Sequence, residues 1–89
     1  MYYVITFPST HMAMKFEKIV FQNKLTGKLI PIPRELSANC GLCARLESEQ
    51  DLKTAINTCQ KEQIQFEQVY RLDSQGETAP EPIDQINQI

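Results

Sequence analysis

Two stretches of helical apolar spacing, each flanked by short β-rich runs, leave this chain few folds to adopt. In the first stretch Met12, Ala13, Phe16, Ile19 and Val20 recur at three- and four-residue intervals, while Lys15, Glu17, Lys18 and Gln22 fall on other faces. That spacing predicts an amphipathic helix that follows a turn and N-cap at Pro8-Ser9-Thr10 and ends near Asn23 and Lys24. In the second, Leu52, Ala55, Ile56 and Cys59 stand at i, i+3, i+4 and i+7 after a helix start signal at Ser48. Residues 2–7, 28–32 and 65–72 read as strands from their β-branched and aromatic content. Leu42, Ala44 and Leu46 alternate with Cys43, Arg45 and Glu47, which predicts a strand with one apolar face. Pro31 and Pro33 mark residues 28–32 as a sheet edge, because proline cannot donate to a central ladder. The order is therefore βαββαβ. It predicts an α+β fold, a ferredoxin-like sandwich with a four-stranded antiparallel sheet and both helices on one face.

Size and composition narrow the function. A chain of 89 residues makes one domain, expected over residues 1–73. Residues 74–89, with Gly76, Pro80 and Pro82, are expected as a mobile C-terminal tail. A formal net charge of −2 carries no basic footprint for nucleic acid. No apolar stretch approaches the roughly 18 residues of a membrane span, and the apolar start lacks the basic leader of a signal peptide. The 3 cysteines are an odd number, which fits poorly with a secreted disulfide framework. A cytoplasmic protein is expected.

The chemistry concentrates in residues 33–43. In the expected topology the first and third strands are neighbours, so the turn Ser9-Thr10-His11 and the start of the third strand at Cys40 converge on one end of the sheet. A helix start offers unpaired backbone N–H groups and a partial positive charge, a ready anion site. Arg34 adds a permanent cation. A thiol beside such groups has its pKa lowered and its thiolate fraction raised, and the same donors would hold a persulfide anion. Each residue also has an ordinary role: capping for Ser9 and Thr10, a solvated ion pair for Arg34 and Glu35, a plain helix-terminus residue for His11.

Cys40-Gly41-Leu42-Cys43 is a single CxxC, and it leads into a strand rather than a helix. In an extended segment residues three apart lie about 10 Å apart, whereas a disulfide needs Cα atoms within about 7 Å. A disulfide would require a turn at Cys40-Gly41, which Gly41 permits. Cys43 is therefore a candidate resolving thiol, with a lone reactive Cys40 as the other reading. Cys40, Cys43 and His11 could offer three zinc ligands, but no second CxxC or CxxH closes a structural site, so no metal and no cofactor are expected. Cys59, on the apolar helix stripe, reads as a small buried hydrophobe, and Met12 and Met14 as core or core-edge residues. The open sheet face, where Cys43 and Arg45 project, is a candidate surface for homodimer formation.

Phe7-Pro8-Ser9-Thr10-His11 with Ala13-Met14 and Glu17, then Ile30-Pro31-Ile32-Pro33-Arg34-Glu35-Leu36-Ser37 and Cys40-Gly41-Leu42, resemble the selenium/sulfur carrier-like family of small bacterial proteins. A similar domain follows a sulfurtransferase-like domain in a bacterial selenium-metabolism protein. The resemblance covers residues 2–72. It implies a carrier, rather than a stand-alone enzyme, that holds sulfur or selenium as a persulfide or perselenide on Cys40 and passes it to a partner enzyme. Arg34 and the Ser-Thr-His turn join the site, with Gly41 beside the cysteine. Many members carry a small apolar residue where this chain has Cys43, so the carrier role does not depend on that thiol. Two other functions remain open: a non-catalytic ligand-binding or interaction module, and thiol–disulfide exchange through Cys40 and Cys43.

Overall fold

The computed structural model describes residues 2–33, 36, 41–73 and 80–83. The elements are β1 (Tyr2–Thr6), α1 (Thr10–Gln22), β2 (Lys28–Pro31), β3 (Leu42–Leu46), α2 (Glu49–Lys61), β4 (Gln68–Leu72) and β5 (Glu81–Pro82). The fold is α+β, and its five strands form one antiparallel sheet in the order β2-β3-β1-β4-β5. The expected sheet had four strands. The fifth comes from the segment read as a tail, where Glu81 pairs with Arg71 in register and by an ion pair. The Ile83 N–H donates to the Val69 carbonyl at 2.8 Å, and Ile83 packs against the main core. A two-residue strand containing proline has no apolar period to betray it.

The pleat sorts side chains onto two faces. On one face Ile5, Phe7, Ala44, Leu46 and Val69 pack against Ala13, Phe16 and Val20 of α1 and Leu52, Ala55, Ile56 and Cys59 of α2, so both helices cover the same side. Phe7 and Phe16 meet in a tilted pair with centroids 5.5 Å apart. On the other face Val4, Cys43 and Leu72 form a second, smaller buried cluster joined by Tyr2, Ile30, Ile32, Leu36 and Tyr70. Arg45 lies there with its guanidinium 4.0 Å from the Tyr2 ring centre, and its Nε donates to Glu47 at 3.0 Å.

β2 is an edge strand, as its prolines predict. The Ile32 N–H donates to the Gly41 carbonyl at 2.9 Å, and alternation along an antiparallel pair then turns the backbone groups of Leu29 and Pro31 away from β3. Proline thus occupies a position where its missing N–H costs the ladder nothing, and it blunts the free edge. Gly27, which precedes the strand, has φ +127°, and a Cβ there would meet Leu46 Cδ2 at 3.1 Å. Only glycine fits without strain.

Both helices end in the same way. Leu25 N–H reaches back to the Val20 carbonyl and Ile64 N–H to the Cys59 carbonyl, at 3.0 and 2.8 Å, each across a left-handed residue, Lys24 (φ 55°) and Gln63 (φ 58°). This is the Schellman cap, usually made with glycine. A side chain in that conformation costs roughly 1–2 kcal/mol, part of which glycine returns through its freer unfolded chain. Gln63→Gly is therefore expected to stabilise the fold by about 0.5–1 kcal/mol, read as a higher urea midpoint at unchanged slope.

Candidate functional site

One end of the sheet gathers the segments singled out in the sequence. β1 finishes there at Thr6, opposite Cys43 of β3 and Gln68 of β4; β2 finishes at Pro31 opposite Leu42. Thr6 is buried, and its hydroxyl both donates to the Gln68 carbonyl and accepts the Gln68 N–H, each at 3.1 Å. The Glu67 N–H adds a 2.7 Å bond to the Thr6 carbonyl. This end of the sheet is therefore rigidly tied, and the chain leaves it through Phe7 and Pro8 to begin α1.

Ser9 is the N-cap of α1: its backbone is extended, and its side chain accepts the Met12 N–H at 3.3 Å. Thr10 and His11 follow as the first two helical residues, both exposed. The first turn of α1 contains no acidic residue, whereas α2 has Glu49 and Asp51 in the corresponding turn behind its own cap, Ser48. The partial positive charge at the start of α2 is thus met by its own carboxylates; the first turn of α1 supplies none.

Gly41 lies in an exposed bend immediately before β3 and is held by the Ile32 bond. A Cβ placed on Gly41 would meet nothing within 4 Å, so internal packing does not demand glycine. Leu36 N–H donates to the Pro33 carbonyl at 3.0 Å, and Leu36 packs on the second cluster. The expectations for Cys40 and Arg34 fall outside the described residues. Ser9, Thr10, His11, Gly41 and the start of β3 do emerge at the same end of the sheet.

Cys43 and Cys59 are both fully buried, 0% exposed, on opposite faces of the sheet. Burial pushes the Cys59 thiol up to about 12, which makes it a packing residue, as its place on the helix stripe predicts. Cys43 sits within an extended strand rather than in the helical turn that brings a CxxC pair together.

One residue departs from the sequence reading, and another that it left off the buried stripe joins it on the surface. Met14 is 58% exposed rather than core, and Phe21, which the helix stripe left out, is 84% exposed. The signal lay in their spacing: they are seven residues apart, two turns of one helix, so they share a face turned away from Ala13, Phe16 and Val20. That face borders an open groove of about 1050 Å³ between α1 and the start of β2.

These observations define a small α+β domain whose sheet end joins a capped helix start to the segment leading into β3. The chain belongs to the family described as “Putative Se/S carrier protein-like”, which it matches over residues 2–71. Neither the curated proteins nor the solved structures gave a match. Among the described residues no helix is long and apolar enough to cross a membrane.

Proposed function

We propose that the protein is a sulfur or selenium carrier that acts through Cys40. Membership of the carrier family over residues 2–71 is the observation that carries this reading. The arrangement around the start of α1 supports it. A helix N-terminus without its own carboxylates stabilises an anion nearby, and Gly41 leaves open space where no packing requires it. Arg34, His11, Ser9 and Thr10 serve in this reading to hold the thiolate and persulfide. We read the sheet, with β1 between β3 and β4 and β2 outermost, as ferredoxin-like with β5 appended.

The transfer balances without a redox co-reactant. The Cys40 thiolate attacks the outer sulfur of a donor persulfide; that S–S bond breaks and the donor leaves as its thiolate. Cys40 then holds the sulfur as its own persulfide until an acceptor nucleophile attacks the outer sulfur and frees the Cys40 thiolate. The partners are accordingly a donating and an accepting enzyme, in the cytoplasm. Thiol exchange with Cys43 finds less support, because that thiol is sealed in a sheet face. A homodimer through the open face gains little, since Val4, Cys43 and Leu72 are already buried within one chain.

Incubation with a cysteine desulfurase and cysteine is expected to add one sulfur atom to the intact mass, reversible by dithiothreitol. Cys40→Ser should take up none, and Cys43→Ala should load as the parent does. Uptake that survives Cys40→Ser, or no uptake by the parent chain, counts decisively against the carrier reading.

A further inference from the structure

We infer that the groove between α1 and β2 is a docking site for an acidic protein segment that presents two large apolar side chains. The exposed face of α1 carries Met14 and Phe21, 58% and 84% exposed, and both line the groove. Two turns of helix separate them, about 10 Å along the axis, so they offer two separate apolar contacts along one wall of the groove. Methionine adapts to the shape it meets, and an exposed phenylalanine has no folding role at this level of burial.

Charge selects the occupant. Among the described residues, Lys15, Lys18, Lys24 and Lys28 line the same groove against one acid, Glu17, on a chain whose formal net charge is −2. None of these four lysines takes part in an ion pair among the described residues. A local excess of unpaired ammonium groups on an acidic protein steers and orients an acidic partner. Strand addition to β2 is disfavoured, because Pro31 stands on its free edge without an N–H; recognition falls to side chains in the groove.

His11 also lines the groove, so one end of it reaches the start of α1. A partner seated there would reach the helix start that the carrier reading assigns to the thiolate; this orientation rests on the carrier reading, whereas the docking itself does not.

The test is a phage-displayed library of random 16-residue peptides selected on the intact protein. Selected peptides are expected to be rich in Asp and Glu and to carry at least two large apolar residues. The best of them, made synthetically and labelled, should bind at least tenfold more weakly to Phe21→Ala and to Lys18→Glu. Raising the salt from 0.05 to 0.5 M should weaken binding about tenfold. Unchanged thermal unfolding of the variants certifies the fold, since both side chains are exposed. The proposal is overturned if no peptide is enriched, if basic or uncharged peptides win, or if single-stranded DNA displaces the peptide at physiological salt. It is equally overturned if sedimentation shows a dimer that Phe21→Ala dissociates, which would make a second copy the occupant. Sulfur uptake from inorganic polysulfide, read by mass on the same chains, reports the carrier reading separately; its failure leaves the docking result standing.

Discussion

A disulfide reagent such as Ellman's, added to the native protein near pH 8, is expected to modify one thiol within seconds to minutes and to spare the other two until the chain is unfolded. Cys43 and Cys59 are 0% exposed, and a reagent reaches such thiols only through opening of the surrounding structure. Cys59 has a second protection. With its thiol pushed up to about 12 by burial, only on the order of one molecule in ten thousand carries the thiolate at pH 8. Together these make the buried thiols react at least about a thousandfold more slowly, given opening free energies of several kcal/mol. Peptide mapping should place the fast label on Cys40. A fast label on Cys43 would reverse the assignment of the carrier thiol. The rate of the fast thiol against pH then yields its acidity, and Arg34→Ala should move that profile to higher pH if the guanidinium stabilises the thiolate.

The same buried thiol sets a pH limit on stability. The folded Cys59 holds its proton up to about 12, whereas the unfolded chain releases it near the ordinary thiol value of about 8.5. Its contribution is complete below that value and is lost as the pH rises through about 12. Urea midpoints should therefore fall across that alkaline window.

Phe16→Ala is expected to cost about 3–5 kcal/mol, the usual loss for a phenylalanine removed from a packed core. Phe16 is buried against Phe7 in the tilted ring pair and belongs to the cluster that joins both helices to the sheet. A domain of this size has a total stability of roughly 5–13 kcal/mol, so the substitution removes a large part of it or unfolds the chain. Phe21→Ala, five residues further along α1 and exposed, should change stability by no more than about 0.5 kcal/mol. Two phenylalanines of one helix thus separate a core role from a surface role. The pair of denaturation curves checks the face of α1 on which the docking inference depends. Comparable losses at both positions would mean that α1 packs with a different face inward. The Phe7 contact also bears on the candidate site, because Phe7 lies between the end of β1 and the Ser9 cap. Loosening it should raise the mobility of the helix start before the fold is lost.

Much of this architecture is written in local patterns. The 3.6-residue stripe of Ala13, Phe16 and Val20, the i+7 stripe ending at Cys59, and the alternation of Leu42 to Leu46 each reappear as an element with the expected buried face. Ser9 and Ser48 cap the helices they announce, because a hydroxyl at that position meets an N–H that has no other partner. Pro31 marks an edge, because the missing donor is a property of the residue itself. The fourth strand begins at Gln68, three residues later than the β-rich run at 65, because the α2 cap carries the chain as far as Ile64 and Glu67 still lies in the connection that bonds to Thr6.

What local pattern could not supply is the side on which each residue ends up once distant segments meet. β5 exists only because β4 offers an open edge and Val69 a carbonyl for Ile83. Hydrophobicity places Met14 in the core or at its edge, whereas the packing of α1 on the sheet turns it outward with Phe21. Cys43 is sealed because Val4 and Leu72, remote in sequence, close around it. The sequence by itself determined the two helices, their caps and the run of strands, since periodicity and capping act over a few residues. Only the tertiary structure decided the fifth strand, the outward face of Met14 and Phe21, and the cationic groove. Each depends on contacts between residues far apart in the chain, whose energies do not exist until it folds.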